Sequence, residues 1–279
     1  MRFAHSLKLA HSFQILSVTR LIRYSCCCGA ATYILVPPAS HFRPLVRAPG
    51  SWQAWQMIDA KTSEYRDRYR RELIPDGYSG RLHFTLILGF VFAVLAIGAL
   101  RLENVQPLEW LVVPLTFLYA NLAEYLGHRF VMHRRRPGLG MIYERHTLQH
   151  HRFFTHEAMQ FDSSDDFRAV LFPPMLMIFF AIAFALPVGF LLTWLFSSNV
   201  AWLFVMTALS YYGCYEILHF AFHQAEDSWI MRLPGVKKMR RLHLSHHDPA
   251  IMQKGNFNIT WPICDVLFGT RVVKSANDV

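Results

Sequence analysis

Residues 84–100 read FTLILGFVFAVLAIGAL, a run without a single charge. A bilayer core takes roughly 20 apolar residues per helix, and with its flanks this run fills one crossing. Further along, residues 169–202, AVLFPPMLMIFFAIAFALPVGFLLTWLFSSNVAW, are again uncharged, and residues 203–215 continue almost without a polar break. Residues 109–127, EWLVVPLTFLYANLAEYLG, add another mostly apolar stretch. The chain of 279 residues is 53% hydrophobic and only 17% charged, more apolar than a soluble domain usually is. These runs predict an all-α integral membrane protein with four transmembrane helices, at about 83–100, 108–127, 169–187 and 200–218. Pro187 and Gly189 are expected to break the third.

Before these runs the composition changes. Residues 1–58 hold no Asp or Glu and six Lys or Arg. Such a stretch has the make-up of an organelle leader, or it precedes a true start at Met57. Either way the expected division is a basic extension over 1–58, without a fold of its own, and a membrane-embedded domain over 59–279. The five cysteines, Cys26, Cys27, Cys28, Cys214 and Cys264, form no Cys-x-x-Cys pair and no even framework, which argues against structural disulfides. The Cys26–Cys28 triplet suits reduced thiols or lipidation.

The net charge is +9. Nucleic acid is excluded as the partner, because the basic residues sit beside apolar spans and no nucleic-acid motif accompanies them. Their placement instead orients the spans. Lys61 to Arg81 precedes the first span. Arg129, Arg134, Arg135, Arg136, Arg145 and Arg152 follow the second, and Lys237, Lys238, Arg240 and Arg241 follow the fourth. The opposite loops carry Arg101 and nothing basic between 187 and 199. Both ends and the polar segments therefore face the cytoplasm, as a helical cap.

That cap concentrates histidine. Ten of fifteen histidines fall in 53 residues, the stretches 128–151 and 219–247. They form four clusters: His128 and His133 in HRFVMH, His146, His150 and His151 in HTLQHH, His219 and His223 in HFAFH, and His243, His246 and His247 in HLSHH. Imidazole is a common ligand for iron, zinc and copper. On an α-helix, residues four apart share a face. This pairs His146 with His150, His219 with His223, and His243 with His247. His151 and His246 are then turned toward an adjacent second metal. His128 and His133, five apart, would serve different metals on an ideal helix, or the helix would end between them. Ten histidines suit a di-metal site. Glu124, Glu216 and Asp248 lie at spacings where a carboxylate can accept a ring N–H. His83 reads as an interfacial polar residue, His156 as a bystander, and His5, His11 and His41 fall in the leader.

No cysteine joins the clusters, and a single catalytic zinc takes three protein ligands, so iron or copper with open positions for O2 is left. A metal or haem transporter would need polar residues through the spans, which are nearly free of them. A membrane zinc hydrolase finds no His-Glu-x-x-His.

The four boxes, in this order and with two spans between the second and third, resemble the fatty acid hydroxylase/sterol desaturase superfamily. The closing NFNITWPICDVLFGT resembles that family's ending, so the resemblance covers about 108–270. It implies a non-haem di-iron centre, two iron ions held by His128, His133, His146, His150, His151, His219, His223, His243, His246 and His247, that uses O2 and two electrons to attack an unactivated C–H bond. Members hydroxylate or desaturate fatty acyl chains, sterols, sphingoid bases, alkylglycerols or carotenoids, so the expected enzyme is a lipid monooxygenase. The first box is also similar to that of carotenoid hydroxylases. The second departs from the commoner form, with three residues instead of two between the first histidine and the pair. The extra residue rotates His146 by about 100° on an α-helix. The resemblance further implies a lipid substrate and a separate electron donor, a ferredoxin, cytochrome b5 or reductase. The expected location is the endoplasmic reticulum of a eukaryote or the inner membrane of a bacterium.

Overall fold

The computed structural model describes residues 51–273. The expected leader, with its cysteine triplet and His5, His11 and His41, lies outside the described residues as far as position 50. The first helix, α1, runs Ser51–Leu73. Next come α2 (Gly80–Arg101) and α3 (Val112–Gly127), then the short α4 (Gly140–Tyr143), α5 (His151–Phe153) and α6 (Phe167–Val170). The chain continues with α7 (Pro174–Phe180), α8 (Leu186–Leu195), α9 (Ser198–Phe222), α10 (Val236–His246) and α11 (Ile263–Leu267). Among the described residues there is no strand, only an isolated bridge between Thr155 and Ala158.

Among the described residues, two segments are long and apolar enough to cross a membrane, Gly80–Arg101 and Ser164–Leu195. The third expected span is not broken at Pro187. A π turn, Ala181–Ala185, joins α7 to α8, and the Leu186 N–H reaches the Ala181 carbonyl. Pro187 then falls in the first turn of α8, directly after the wider turn, which accommodates its missing N–H. Helix α3 has 16 residues, and a 3-10 turn, Pro107–Leu111, leads into it. Helix α9 is longer and carries Tyr211, Tyr212, Glu216 and His219 in its second half.

Helix α9 packs against α2, α3 and α8. At Gly98 a Cβ would stand 2.5 Å from Met206 Sδ, so bare backbone sets the approach of α2 to α9. The outer faces remain apolar: Phe92, Leu100, Phe190 and Trp194 are each at least 64% exposed. A water-soluble surface rarely carries so many large apolar side chains, whereas lipid solvates them. At the end away from the histidines, polar contacts join the α2–α3 and α8–α9 loops. Ser197 caps α9 by accepting from the Val200 N–H at 3.1 Å and donates to Glu109, while Asn199 donates to the Glu103 carbonyl at 2.7 Å.

Helix α1 clamps the segment between residues 153 and 166. Arg66 donates to the Phe153 carbonyl at 2.8 Å and to the Ala158 carbonyl at 2.6 Å. Arg70 forks onto both oxygens of Asp166 at 2.8 Å, and Asp166 is fully buried. Tyr69, Phe153, Phe154, Leu171 and Phe220 form the apolar core below. Removing the fork leaves a buried carboxylate without its cation. Arg70→Ala is expected to cost about 2 kcal/mol or more, and Arg70→Lys to recover only part, since an ammonium cannot fork. Thermal unfolding in detergent reads this; an unchanged midpoint for Arg70→Ala would contradict the clamp.

Candidate metal centre

The helix ends beneath α3 and α9 determine which histidines meet. After α3 the backbone widens into a π turn, His128–Met132, and the His133 N–H bonds the His128 carbonyl at 3.2 Å. A five-residue turn places residues five apart on one side. The His128 and His133 rings therefore stack, with centroids 4.8 Å apart, where the ideal-helix reading turned them apart. The second box behaves alike. A π turn over Glu144–His150 bonds the His151 N–H to the His146 carbonyl. His146 thus pairs with His151, their Nε2 atoms 3.1 Å apart, and not with His150 as α-helical spacing suggests. The extra residue of the second box lies within this wider turn.

All ten box histidines are buried and converge in overlapping groups. His128, His133, His146, His151 and His246 form one; His150, His219, His223 and His243 form another; His150, His151 and His247 form a third. Within each group the potential ligand atoms lie within 4.8 Å of one another. His247 Nε2 is 3.2 Å from His150 Nε2 and 3.1 Å from His243 Nε2, which attaches it to the second group. Two nests of five result. Neighbours in sequence are shared between them: His151 with His150, and His246 with His247. The groups contain no Cys, Asp or Glu among the described residues. His83 is elsewhere, held between the Tyr78 hydroxyl and the Phe172 carbonyl, and His156 lies near Glu157 at 3.8 Å.

Carboxylates were the expected orienting groups, but backbone carbonyls do most of this work. Nδ1 of His128 donates to Phe257 O at 2.5 Å, His150 to Ala169 O at 2.8 Å and His223 to Met159 O at 2.8 Å. His246 donates to Gly255 O at 2.9 Å and His247 to Phe154 O at 2.6 Å. Glu124 instead gathers the C-terminal loop, accepting from the N–H groups of Ile259 and Thr260 and from the Thr260 hydroxyl. Glu216 accepts from Tyr212 at 2.7 Å, and Asp248 from the Ala250 N–H at 2.8 Å. The loop that carries Gly255 and Phe257 is fixed by Asp265, which accepts the N–H groups of Phe257 and Asn258 at 3.0 and 2.7 Å. Asn256, at φ 58°, bridges the Leu242 and Val272 carbonyls. At Gly255 a Cβ would meet the Thr270 carbonyl at 2.3 Å. The carbonyl acceptors were missed from sequence because any residue supplies one; the Asn and Asp of the closing motif are the available signal.

This hydrogen bonding is a test of what the nests can hold. A carbonyl only accepts, so each Nδ1 bonded to one carries the proton and its Nε2 presents a lone pair. His150 and His247 are both of this kind, yet their Nε2 atoms face each other at 3.2 Å. Two lone pairs repel at that distance unless a cation lies between them. Protonation would not relieve the contact, since burial disfavours charge. Desolvation first, then neighbouring imidazoles, pushes His128, His146, His151 and His243 well down. His150 is pushed down to about 3 and His246 to about 4, again chiefly by burial. A neutral, lone-pair-lined cage fits metal ions with affinity for nitrogen.

The family model described as fatty acid hydroxylase matches residues 113–270. Among solved structures, full-length scs7p, of which only the hydroxylase domain is visible, aligns with a TM-score of 0.50 at 23% identity. The alignment covers 68% of this chain and 66% of that one, just under two thirds. At this identity the likeness is one of fold. No curated protein sequence matches the chain.

The depressed imidazoles set a pH dependence. Below about pH 6.5 the unfolded chain takes up protons that the folded chain refuses. Stability of the metal-free protein is therefore full above that pH and falls progressively as the pH drops from there toward 4. Unfolding midpoints in detergent between pH 5 and 8 should decline on the acid side only, and a midpoint flat down to pH 5 would contradict ten buried neutral imidazoles.

Proposed function

This chain belongs to the fatty acid hydroxylase family, and from that premise we propose that it is a membrane-bound non-haem di-iron oxygenase. It hydroxylates or desaturates an unactivated C–H bond of a lipid such as a fatty acyl chain or sterol. The observation that carries the reading is the pair of five-histidine nests with facing Nε2 lone pairs. His128, His133, His146, His151 and His246 would hold one ion; His150, His219, His223, His243 and His247 would hold the other. Bound there, iron supplies the O2 chemistry that no side chain can perform.

The chain's own contribution is orientation and exclusion. The carbonyls of Gly255, Phe257, Phe154, Met159 and Ala169 fix five rings in the tautomer that presents Nε2. Phe154, Phe222 and Phe257 are fully buried against the histidine rings and keep water from them. In this reading α2, α3, α7–α8 and α9 are four spans with the histidines at their cytoplasmic ends, so a lipid reaches the cage from the bilayer. Electrons come from a separate acidic protein, a ferredoxin, cytochrome b5 or reductase. Exposed Arg134, Arg135, Arg136, Lys237, Lys238 and Arg241 offer it a surface, or anchor the cap to anionic headgroups. Arg240 is not part of that surface: it is buried, bonded to the Phe222 carbonyl and Glu226.

Metal analysis with lipid profiling tests this. Two irons per chain and an O2-dependent mass change in cellular lipid, one oxygen gained or two hydrogens lost, are expected. His247→Ala and His133→Ala should each lower activity at least 100-fold, while His156→Ala leaves it intact. One zinc per chain with hydrolysis of lipid would favour the hydrolase alternative, and full activity in His247→Ala would remove the ligand assignment.

A further inference from the structure

A cleft of about 350 Å³ opens beside the first turn of α2. Leu82, Leu86, Pro173 and Pro174 form its apolar wall, and Arg145 and Arg168 contribute its cations. No carboxylate lines it. Neither arginine has an acidic partner within ion-pair distance among the described residues: Arg145 spends its donors on the Tyr69 hydroxyl, the Gln149 amide oxygen and the Arg168 carbonyl. Arg168 Nε is buried without any hydrogen-bond partner. The N-terminus of the 22-residue α2, at Ser79 and Gly80, adds the positive end of its dipole beside the same cleft.

Two guanidinium groups facing apolar surface without a counter-charge are costly, and an anion relieves that cost. Its source is set by position. The cleft lies where a membrane-crossing segment begins, with exposed Leu82 and Leu86 leading along α2. We propose that this cleft binds the headgroup of an anionic lipid, phosphate or carboxylate against Arg145 and Arg168, with its hydrocarbon along Leu82 and Leu86. The guanidinium fork matches such oxygens bidentately. The site touches the histidine cage through the backbone: Arg145 precedes His146, and the carbonyl after Arg168 is the one that holds His150. A lipid seated here lies beside the centre, which rests on the membrane reading above but not on the identity of the metal.

Full-length protein in neutral detergent can be titrated with phosphatidic acid, with diacylglycerol and with inorganic phosphate, retention being read by native mass spectrometry. Phosphatidic acid should bind at least tenfold more tightly than either of the other two. Arg168→Gln should weaken it at least fivefold, and Leu86→Gln, which leaves the arginines in place, should weaken it too. Arg71→Gln, exposed on α1, should not. Equal binding of diacylglycerol, competition by inorganic phosphate at the lipid's own concentration, or unchanged binding in both variants would each overturn the proposal. Metal content of the same samples keeps the two readings apart: a chain that binds phosphatidic acid but no metal would sink the oxygenase reading alone.

Discussion

The hydrogen bond from an imidazole Nδ1–H to a backbone carbonyl is the interaction on which the rest depends. Five such bonds fix which nitrogen of each ring is bare, and the bare nitrogens then converge. The carbonyls are delivered by distant parts of the chain. Phe154, Met159 and Ala169 belong to the segment that α1 clamps through Arg66 and Arg70, and Gly255 and Phe257 belong to the loop held by Asp265 and Glu124. The clamp thus acts on the site without touching it, while the closing loop meets it through its own carbonyls. Their cost is a set of buried polar groups that must all be satisfied at once.

The membrane explains where those parts are. Apolar helices with exposed Phe, Leu and Trp faces cannot end in loose loops, because each helix end leaves backbone carbonyls to satisfy. The end of α3 relaxes into a π turn at His128–Met132, and the short α4 continues into another at Glu144–His150. The wider turn brings histidines five apart onto one side. π turns inside helices often sit at functional sites, and here the reason is visible: an α-helical turn would separate His128 from His133 and His146 from His151.

Much of this was legible in the amino-acid order. Charge-free runs marked the two segments long and apolar enough to cross a membrane, and the crowding of His128 to His151 and His219 to His247 marked the histidine cluster. The partners within the cage were not legible, because spacing was read with an α-helical ruler at two places where the backbone is wider. Pro187 misled for the same reason, its lost hydrogen bond being absorbed by the turn at Ala181–Ala185. Glu124 and Glu216 looked like ring acceptors by spacing alone, yet one gathers the C-terminal loop and the other accepts from Tyr212. Backbone carbonyls, which do the orienting, leave no residue signature at all. Arg66, Arg70 and Arg240 counted only as topological charges in the sequence, and folding turns each into a hydrogen-bonded support.

In the proposed centre, two neighbouring metal ions share a cage made of imidazole nitrogen alone. Mössbauer spectroscopy of the intact protein loaded with iron-57, combined with X-ray absorption at the iron edge, tests it most directly. Two magnetically coupled irons per chain are expected, with histidine nitrogens as their nearest protein neighbours and no sulfur. A single uncoupled iron, or a ligand set dominated by carboxylate oxygen or thiolate, would contradict it.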